Sequence, residues 1–206
     1  MNLLLNCWII PNKSSFSRKH SYLQAHLTNN QTDIDNWIAF KAGDAQAFDR
    51  LFRDFHPILV QYGTKICTDR EMLEDAIQDL FVEIWQSPSQ TQVASVKAYF
   101  FKALKYKLFR VMKAGSHRTG TLDDETYFEM PAEHFLITRE EERSRAQKIQ
   151  QAVAQLPSRQ KEIVYLRIFQ GLDYDAISDV MGINYQVARN LFYQSIKSLR
   201  SEISDW

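Results

Sequence analysis

Apolar residues recur at the spacing of an α-helix over almost all of the chain from Asp33 onward, and this periodicity constrains the fold more than any other feature. Residues 71–84 are the clearest example, because one face of the expected helix is apolar and the other is acidic. The 206 residues contain 6 Gly and 5 Pro, which favours long helices over a sheet with many tight turns. We therefore predict an all-α fold. The apolar stripe consists of Leu73, Ala76, Ile77, Leu80, Phe81 and Ile84.

Charge is sorted into separate segments although the formal net charge is zero. A zero net charge by itself argues against nucleic-acid binding. From Val96 to Arg118, however, basic residues appear with no acidic residue among them, and aromatic residues are interleaved. Cations can hold phosphates and aromatic rings can stack on bases, so this helix is a candidate nucleic-acid surface. A solvated basic face above ordinary core aromatics is the alternative interpretation.

The segment 115–142 is rich in acidic residues, contains Pro131 and loses the helical period. We predict that it is a flexible, extended linker between two small helical domains. Such a linker could thread through a basic groove on a partner, or it could be a simple spacer. The predicted boundaries are a disordered N-terminal extension at 1–32, a first domain at 33–114, the linker at 115–142 and a second domain at 143–206.

Residues 173–199 have the layout of a helix-turn-helix. Gly182 stands at the turn, where a positive φ is needed, and Asp173 and Asn184 are predicted N-caps of the two helices. Val187 is predicted to lie in the core with Ala188, Leu191 and Leu199. The second helix would enter the major groove, where Gln and Asn pair with adenine and Arg with guanine. Its predicted outward residues are Tyr185, Gln186, Arg189, Asn190, Gln194 and Lys197. A compact helical hairpin without DNA-binding activity could show the same spacing.

Several other function classes are not favoured. Cys7 and Cys67 form no CxxC pair, so we expect neither a zinc site nor a disulfide framework, and a reducing cytoplasm is the expected location. No stretch approaches the roughly 20 apolar residues of a membrane span. Asp75 and Asp79 lie one turn apart and could share a cation in a nuclease, but a solvated or partner-facing acidic surface is favoured. We expect no catalytic site, no metal, no cofactor and no small-molecule substrate.

Two segments in the right order resemble bacterial RNA polymerase sigma factors of the sigma-70 family, in particular the small extracytoplasmic-function group. Leu73–Trp85 resembles the second conserved region of that family, and Leu156–Ile163 with the following helix-turn-helix resembles the fourth. The resemblance covers about 33–203. It implies a first domain of region 2 type and a second of region 4 type, with core RNA polymerase and promoter DNA as partners. For many members it also implies an anti-sigma factor.

The resemblance also implies roles for individual residues. Asp75, Gln78, Asp79 and Trp85 match the motif that binds the polymerase clamp. The loop 87–95 matches the segment that captures a flipped base of the −10 element, and the predicted outward residues of the helix-turn-helix match the −35 reader. The matching −10 contacts are Lys97, Tyr99, Phe100, Lys102, Lys105 and Arg110. Many relatives carry Arg-Asn where this chain has Lys105-Tyr106, which affects the details of −10 recognition.

The expected function is therefore promoter-specific transcription initiation by a sigma factor. The alternative is a stand-alone helix-turn-helix regulator whose N-terminal helices form a sensor or dimerisation domain. The two differ in one property that can be measured: a regulator binds duplex DNA by itself, whereas a sigma factor binds promoters well only with core polymerase.

Overall fold

A computed structural model of the chain describes residues 30–86, 93–115, 127–130 and 140–203. Within these ranges every regular element is helical and no strand occurs, which confirms the all-α prediction. The first helix, α1, spans 30–41. The later elements are α2 (Ala45–Gly63), α3 (Arg70–Gln86), α4 (Val96–Gly115), α5 (Glu140–Gln155), α6 (Ser158–Val164), a π-helical segment (Tyr165–Phe169), α7 (Tyr174–Met181) and α8 (Tyr185–Ile203).

The chain divides into two compact units, of which the first consists of Leu27–Tyr127 and Asp179–Gly182. In this unit α2, α3 and α4 pack against one another in pairs. All six residues of the apolar stripe predicted on α3 are buried, as expected. The aromatic rings of α4 complete the core, because Phe100 stacks on Phe55 at 4.7 Å and Phe101 stacks on Tyr62 at 4.5 Å. These contacts fix which face of the basic helix points outward.

The start of α2 shows why its register is well defined. The Asp44 side chain accepts hydrogen bonds from the backbone N–H groups of Gln46 at 2.8 Å and Ala47 at 3.2 Å, and so caps the helix. Pro57 lies inside α2, yet the helix runs on to Gly63. Proline removes one hydrogen bond, but the fully buried Leu59 beyond it keeps the chain packed in helical form.

The second unit contains 128–178 and 183–206. Here α5 and α6 both pack against α8. Ile149, Val153, Ile163 and Leu166 supply much of the core. The π-helical segment continues α6 and ends before Gly171, whose φ of +69° turns the chain towards α7. α8 is thereby supported along its length by two earlier helices.

Two predicted boundaries need correction. Residues 128–130 of the predicted linker belong to the second unit: Phe128 has no exposed surface and its ring lies 5.7 Å from that of Tyr165. The reason is specific burial and charge pairing, which a segment-wide acidic composition hides. Residues 30–32 of the predicted disordered extension are helical. The remainder of the extension, 1–29, and the linker segments 116–126 and 131–139 lie outside the described residues.

Candidate nucleic-acid interface

α7 and α8 form the helix-turn-helix that the sequence predicts. The Asp173 carboxylate accepts from the N–H of Ala176 at 2.8 Å, and the Asn184 side chain accepts from the N–H of Val187 at 2.8 Å. Both predicted N-caps are therefore confirmed. Gly182 has φ +64°, the left-handed conformation that only glycine adopts without strain. Caps and turn together fix the angle at which α8 leaves α7.

The outward face of α8 is polar and accessible. Every predicted −35 contact is exposed, and the buried face consists of other residues. Val187 was predicted to be buried, and this is wrong: its side chain is 45% exposed. At 100° per residue, Val187 lies well away from the centre of the buried stripe. That stripe is formed by Ala188, Phe192, Ser195, Ile196 and Leu199.

The first turn of α8 is held by an aromatic and cationic cluster that the sequence pattern did not reveal. The ring of Tyr185 meets the ring of Tyr174 edge-on at 5.7 Å. The guanidinium of Arg167, from the π-helical segment, lies 4.9 Å from the Tyr174 ring centre, and its Nη1 donates to the carbonyl of Leu172 at 2.6 Å. Burial raises the pKa of the Tyr174 hydroxyl above its usual value, while the charges of Arg167 and Arg189 oppose that rise. Arg167 thus connects the preceding helix to the helix-turn-helix.

A second exposed surface lies on α3. Asp75, Gln78 and Asp79 all point to solvent. Trp85, at the end of this helix, is 50% exposed, and its ring rests against those of Phe48 at 4.9 Å and Phe40 at 6.1 Å. An indole fixed by two rings and open on the other side is suited to a protein contact. The four residues form one surface that is acidic along the helix and aromatic at its end.

A lysine from α4 reaches the edge of this acidic surface. The Lys107 side chain is 6% exposed, and its Nζ lies 2.5 Å from Glu83 Oε1 and 3.7 Å from Asp79 Oδ2. Both carboxylates remain more than half exposed, at 61% and 71%. The pairing partly neutralises the end of the acidic face near Lys107 and links α4 to α3. Asp75 has no part in it, and is therefore the better residue for testing the acidic face alone.

The predicted −10 contacts on α4 separate into accessible and buried residues. Arg110 is exposed, and Lys97, Tyr99 and Lys102 are half-buried. Phe100 has no exposed surface, and so it is a core residue and not a base contact in this conformation. Lys105 is 7% exposed and its Nζ lies 5.9 Å from the centre of the Phe109 ring. Phe100 is therefore a core residue where a −10 contact was predicted. Lys105 is a weaker candidate for a DNA contact than Lys97, Lys102 and Arg110.

Tyr99 and Lys97 are positioned by α1. The Tyr99 ring lies 5.1 Å from that of Trp37, and burial followed by the charge of Glu83 raises the pKa of its hydroxyl. Burial lowers the pKa of the Lys97 ammonium, and the charge of Asp33 opposes this effect. Burial raises the pKa of Asp33 to about 6, against the attraction of Lys97. The N-terminal part of α4 is therefore a half-buried polar surface and not a freely solvated one.

Comparison with known proteins shows which family the chain is similar to. Residues 146–199, which include α7 and all but the end of α8, match the family described as sigma-70, region 4. RNA polymerase sigma factor SigV of Bacillus subtilis (strain 168) is 22% identical over 154 residues, which cover 74% of this chain and 86% of that protein. Residues 146–199 are therefore of the sigma-70 region 4 type, and the chain is similar to a sigma factor over 154 residues. Sigma factors are transcription initiation factors, and the sequence resemblance to them is confirmed.

Two solved structures share the fold. CnrH, solved in complex with the cytosolic domain of CnrY, is 15% identical with a TM-score of 0.54, and the match covers 84% of this chain and 98% of that one. The sigma factor RpoE of Bartonella quintana, solved with the anti-sigma factor NepR, is 16% identical with a TM-score of 0.54, covering 78% and 98%. At these identities the likeness shows the fold alone.

Three further findings concern features other than nucleic-acid binding. In the part of the chain that the structure describes, no group of three or more His, Cys, Asp or Glu side chains is placed to hold a metal ion. None of the described helices is long and apolar enough to cross a bilayer. Cys67 is buried and not in a disulfide.

Proposed function

We propose that this sigma factor binds core RNA polymerase through the acidic and aromatic surface of α3, and reads promoter DNA through α4 and α8. The observation that carries the proposal is the recognition face of α8, which is polar and exposed and lies within the match to sigma-70 region 4. In this arrangement the chain supplies contacts and no catalytic site, because the polymerase performs the chemistry. We propose the cytoplasm as its location.

α8 is the helix that binds the −35 element. Gln186, Arg189 and Asn190 lie in the first two turns, the part of a recognition helix that meets base edges. Lys197 lies two turns further along, where a cation can hold a backbone phosphate without reading sequence. The ring of Tyr185 packs on that of Tyr174, and the 46% of the residue's surface that stays exposed is available to contact DNA.

α4 is the helix that binds the −10 element. Arg110 offers an exposed charge, Lys97 and Lys102 offer half-buried charges along the same helix, and Tyr99 offers a half-buried ring. Cations supply attraction to phosphate, and a tyrosine ring supplies a stacking platform for an unpaired base. We do not include Phe100 among these contacts, since it would have to leave the core to reach DNA.

Polymerase binding is assigned to Asp75, Gln78, Asp79 and Trp85. Carboxylates suit a basic partner surface, and the half-exposed indole supplies the apolar anchor that such interfaces commonly contain. CnrH was solved in complex with the cytosolic domain of CnrY, and RpoE in complex with the anti-sigma factor NepR. We propose that an anti-sigma factor likewise binds this chain and competes with polymerase for it.

The test is run-off transcription with the full chain and core polymerase on a promoter library. Wild type should select a −10 and a −35 sequence. Replacing Gln186 and Arg189 with alanine should abolish or relax selection at −35 and leave polymerase binding intact. Gln155→Ala, an exposed glutamine on α5, is the matched control. An unchanged −35 preference in the double variant would refute the assignment of α8.

A gel shift with and without core polymerase separates the sigma factor from a stand-alone regulator. The proposed function predicts weak binding of the free chain and strong binding of the complex. Tight, sequence-specific binding by the free chain as a dimer would favour the regulator instead.

A further inference from the structure

Two amide side chains on the recognition face bind each other. Gln186 Nε2 donates a hydrogen bond to Asn190 Oδ1 at 3.0 Å, and both residues are exposed one turn apart on α8. Each amide carries one acceptor oxygen and a donor NH₂ group. When two amides share one hydrogen bond, one oxygen and one NH₂ remain to face outward. Exchanging the roles of the two amides gives the same outward pair, one acceptor beside one donor.

Only one base edge in the major groove matches this pair. Adenine presents an acceptor at N7 and a donor at N6, whereas guanine presents two acceptors, cytosine a donor, and thymine an acceptor and a methyl group. The mutual hydrogen bond also orders both side chains before binding. Less conformational entropy is then lost when the complex forms, which strengthens the contact.

Val187 adds an apolar contact beside the couple. It follows Gln186 directly and precedes Asn190 by three residues, which places it next to both on the helix surface. Its side chain is 45% exposed. Since the Asn184 cap and Gly182 hold the first turn of α8 in place, Val187 keeps this outward position. The apolar feature that a base offers in the major groove is the thymine methyl group.

We propose that Gln186 and Asn190 act together to read one adenine of the −35 element, and that Val187 contacts the methyl group of a neighbouring thymine. This inference rests on the proposed function and specifies which bases the recognition helix selects. It treats the two amides as a single reading unit, so that losing either one disables both. Arg189 and Lys197 then contribute independently, the first to other bases and the second to phosphate.

The test uses base analogues with the polymerase complex of the full chain. Once the library has given the preferred promoter, each −35 adenine is replaced in turn by 7-deazaadenine, which lacks the N7 acceptor. Each −35 thymine is replaced by uracil, which lacks the methyl group. For wild type we expect about a fivefold loss of promoter binding at one adenine, the size of one hydrogen bond. We expect about a fourfold loss at one thymine, the size of one buried methyl group.

Variants identify which residue reads which base. Gln186→Ala and Asn190→Ala should each bind the natural promoter more weakly and become insensitive to 7-deazaadenine. The double variant should lose little more promoter affinity than either single variant. Val187→Ala should become insensitive to uracil, while Val187→Thr, which keeps one methyl group, should stay sensitive. Gln155→Ala should behave as wild type towards both analogues.

The outcomes that overturn the inference are distinct from those that overturn the proposed function. If wild type tolerates 7-deazaadenine and uracil at every −35 position, the inference is wrong although promoter selection stands. If the losses from Gln186→Ala and Asn190→Ala add in full, the two amides act separately and the couple is wrong. If the complex initiates without any promoter preference, the proposed function itself fails. The wild-type analogue series requires no variant to fold.

Discussion

The ion pair between Glu129 and Lys161 fastens residues 128–130 to the helices of the second unit, and removing its carboxylate should loosen α6. Lys161 is 5% exposed, and its Nζ lies 2.9 Å from each oxygen of Glu129. Glu129→Ala would leave the ammonium group buried beside no counter-charge from this position. Removing one partner of a fully buried pair costs about 3–5 kcal/mol. Because the Glu129 side chain is 44% exposed and solvent screens it, we expect a loss of about 1–3 kcal/mol.

Hydrogen exchange on the full chain measures the loss of stability locally in α6. Amide protection in α6 and in the π-helical segment should fall roughly 5- to 150-fold in Glu129→Ala, which corresponds to the expected free-energy loss. Protection in α3 belongs to the other compact unit and provides an internal reference in the same sample. A global unfolding experiment would be less sharp, since both units contribute helix to the signal.

Two companion variants separate the charge from the docked segment. Lys161→Met with Glu129→Ala removes the buried charge together with its partner, and should recover most of the lost protection. Phe128→Ala should lower protection further, by about 3 kcal/mol or more, because a fully buried phenylalanine is lost. If Glu129→Ala and Phe128→Ala both leave α6 as protected as wild type, residues 128–130 are not docked on the helices of the second unit in solution.

Three further perturbations follow from single residues. Gly182→Ala should cost roughly 1–2 kcal/mol in urea unfolding, since φ is +64° there; an unchanged midpoint would show that the turn relaxes. Asp33 has its pKa raised by burial from 3.8 to about 6, so the folded state holds that proton more tightly, and its contribution to stability is lost as pH rises through this window. Asp33→Asn should flatten this dependence in thermal melts between pH 4 and 7, and a slope equal to wild type would count against the assignment. Asp75→Lys should weaken pull-down of core polymerase without lowering the melting temperature, because Asp75 lies off the apolar stripe; undiminished recovery would remove it from the interface.

The elements that could be predicted from the sequence are those encoded by neighbours along the chain. The apolar stripe of α3 is set by spacing alone, and all six of its residues are buried. The helix-turn-helix has local signals at three points, Asp173, Gly182 and Asn184, and each one does what its residue type predicts. Helical periodicity and N-caps depend on residues that are close in sequence, so they can be predicted without knowing which element packs against the helix.

Phe100 shows where local patterns are insufficient. It stands in a basic, aromatic helix in which rings and cations alternate, and composition cannot say which rings face the core. The structure places it between Phe55 and Phe81, at 4.7 Å and 5.3 Å. A signal was nevertheless present, because Phe100, Phe101, Leu104 and Leu108 have the helical spacing of a buried stripe and all four are buried.

The packing of residues 128–130 could not be predicted from the sequence for a different reason. The acidic character of 115–142 is an average, and it conceals one aromatic residue and one carboxylate whose partners lie far along the chain. Glu129 pairs with Lys161, 32 residues later, and Phe128 packs on Tyr165. No window of sequence contains both members of either contact. Long-range pairing of this kind can be found only once the second unit is folded.

Val187 and Phe100 both differ from prediction, but only the exposure of Val187 bears on DNA binding. Phe100 was expected outside and is buried, which costs nothing and merely extends the core. Val187 was expected inside and is exposed, which leaves an apolar side chain in water on the helix that should meet DNA. A reading helix needs apolar groups outside its core face, since a thymine methyl group can be recognised only by an apolar contact. Periodicity assigns every apolar residue to the core, and so it fails most readily where the helix is built to bind something else. The exposed valine at the start of α8 is the apolar group that the proposed thymine contact requires.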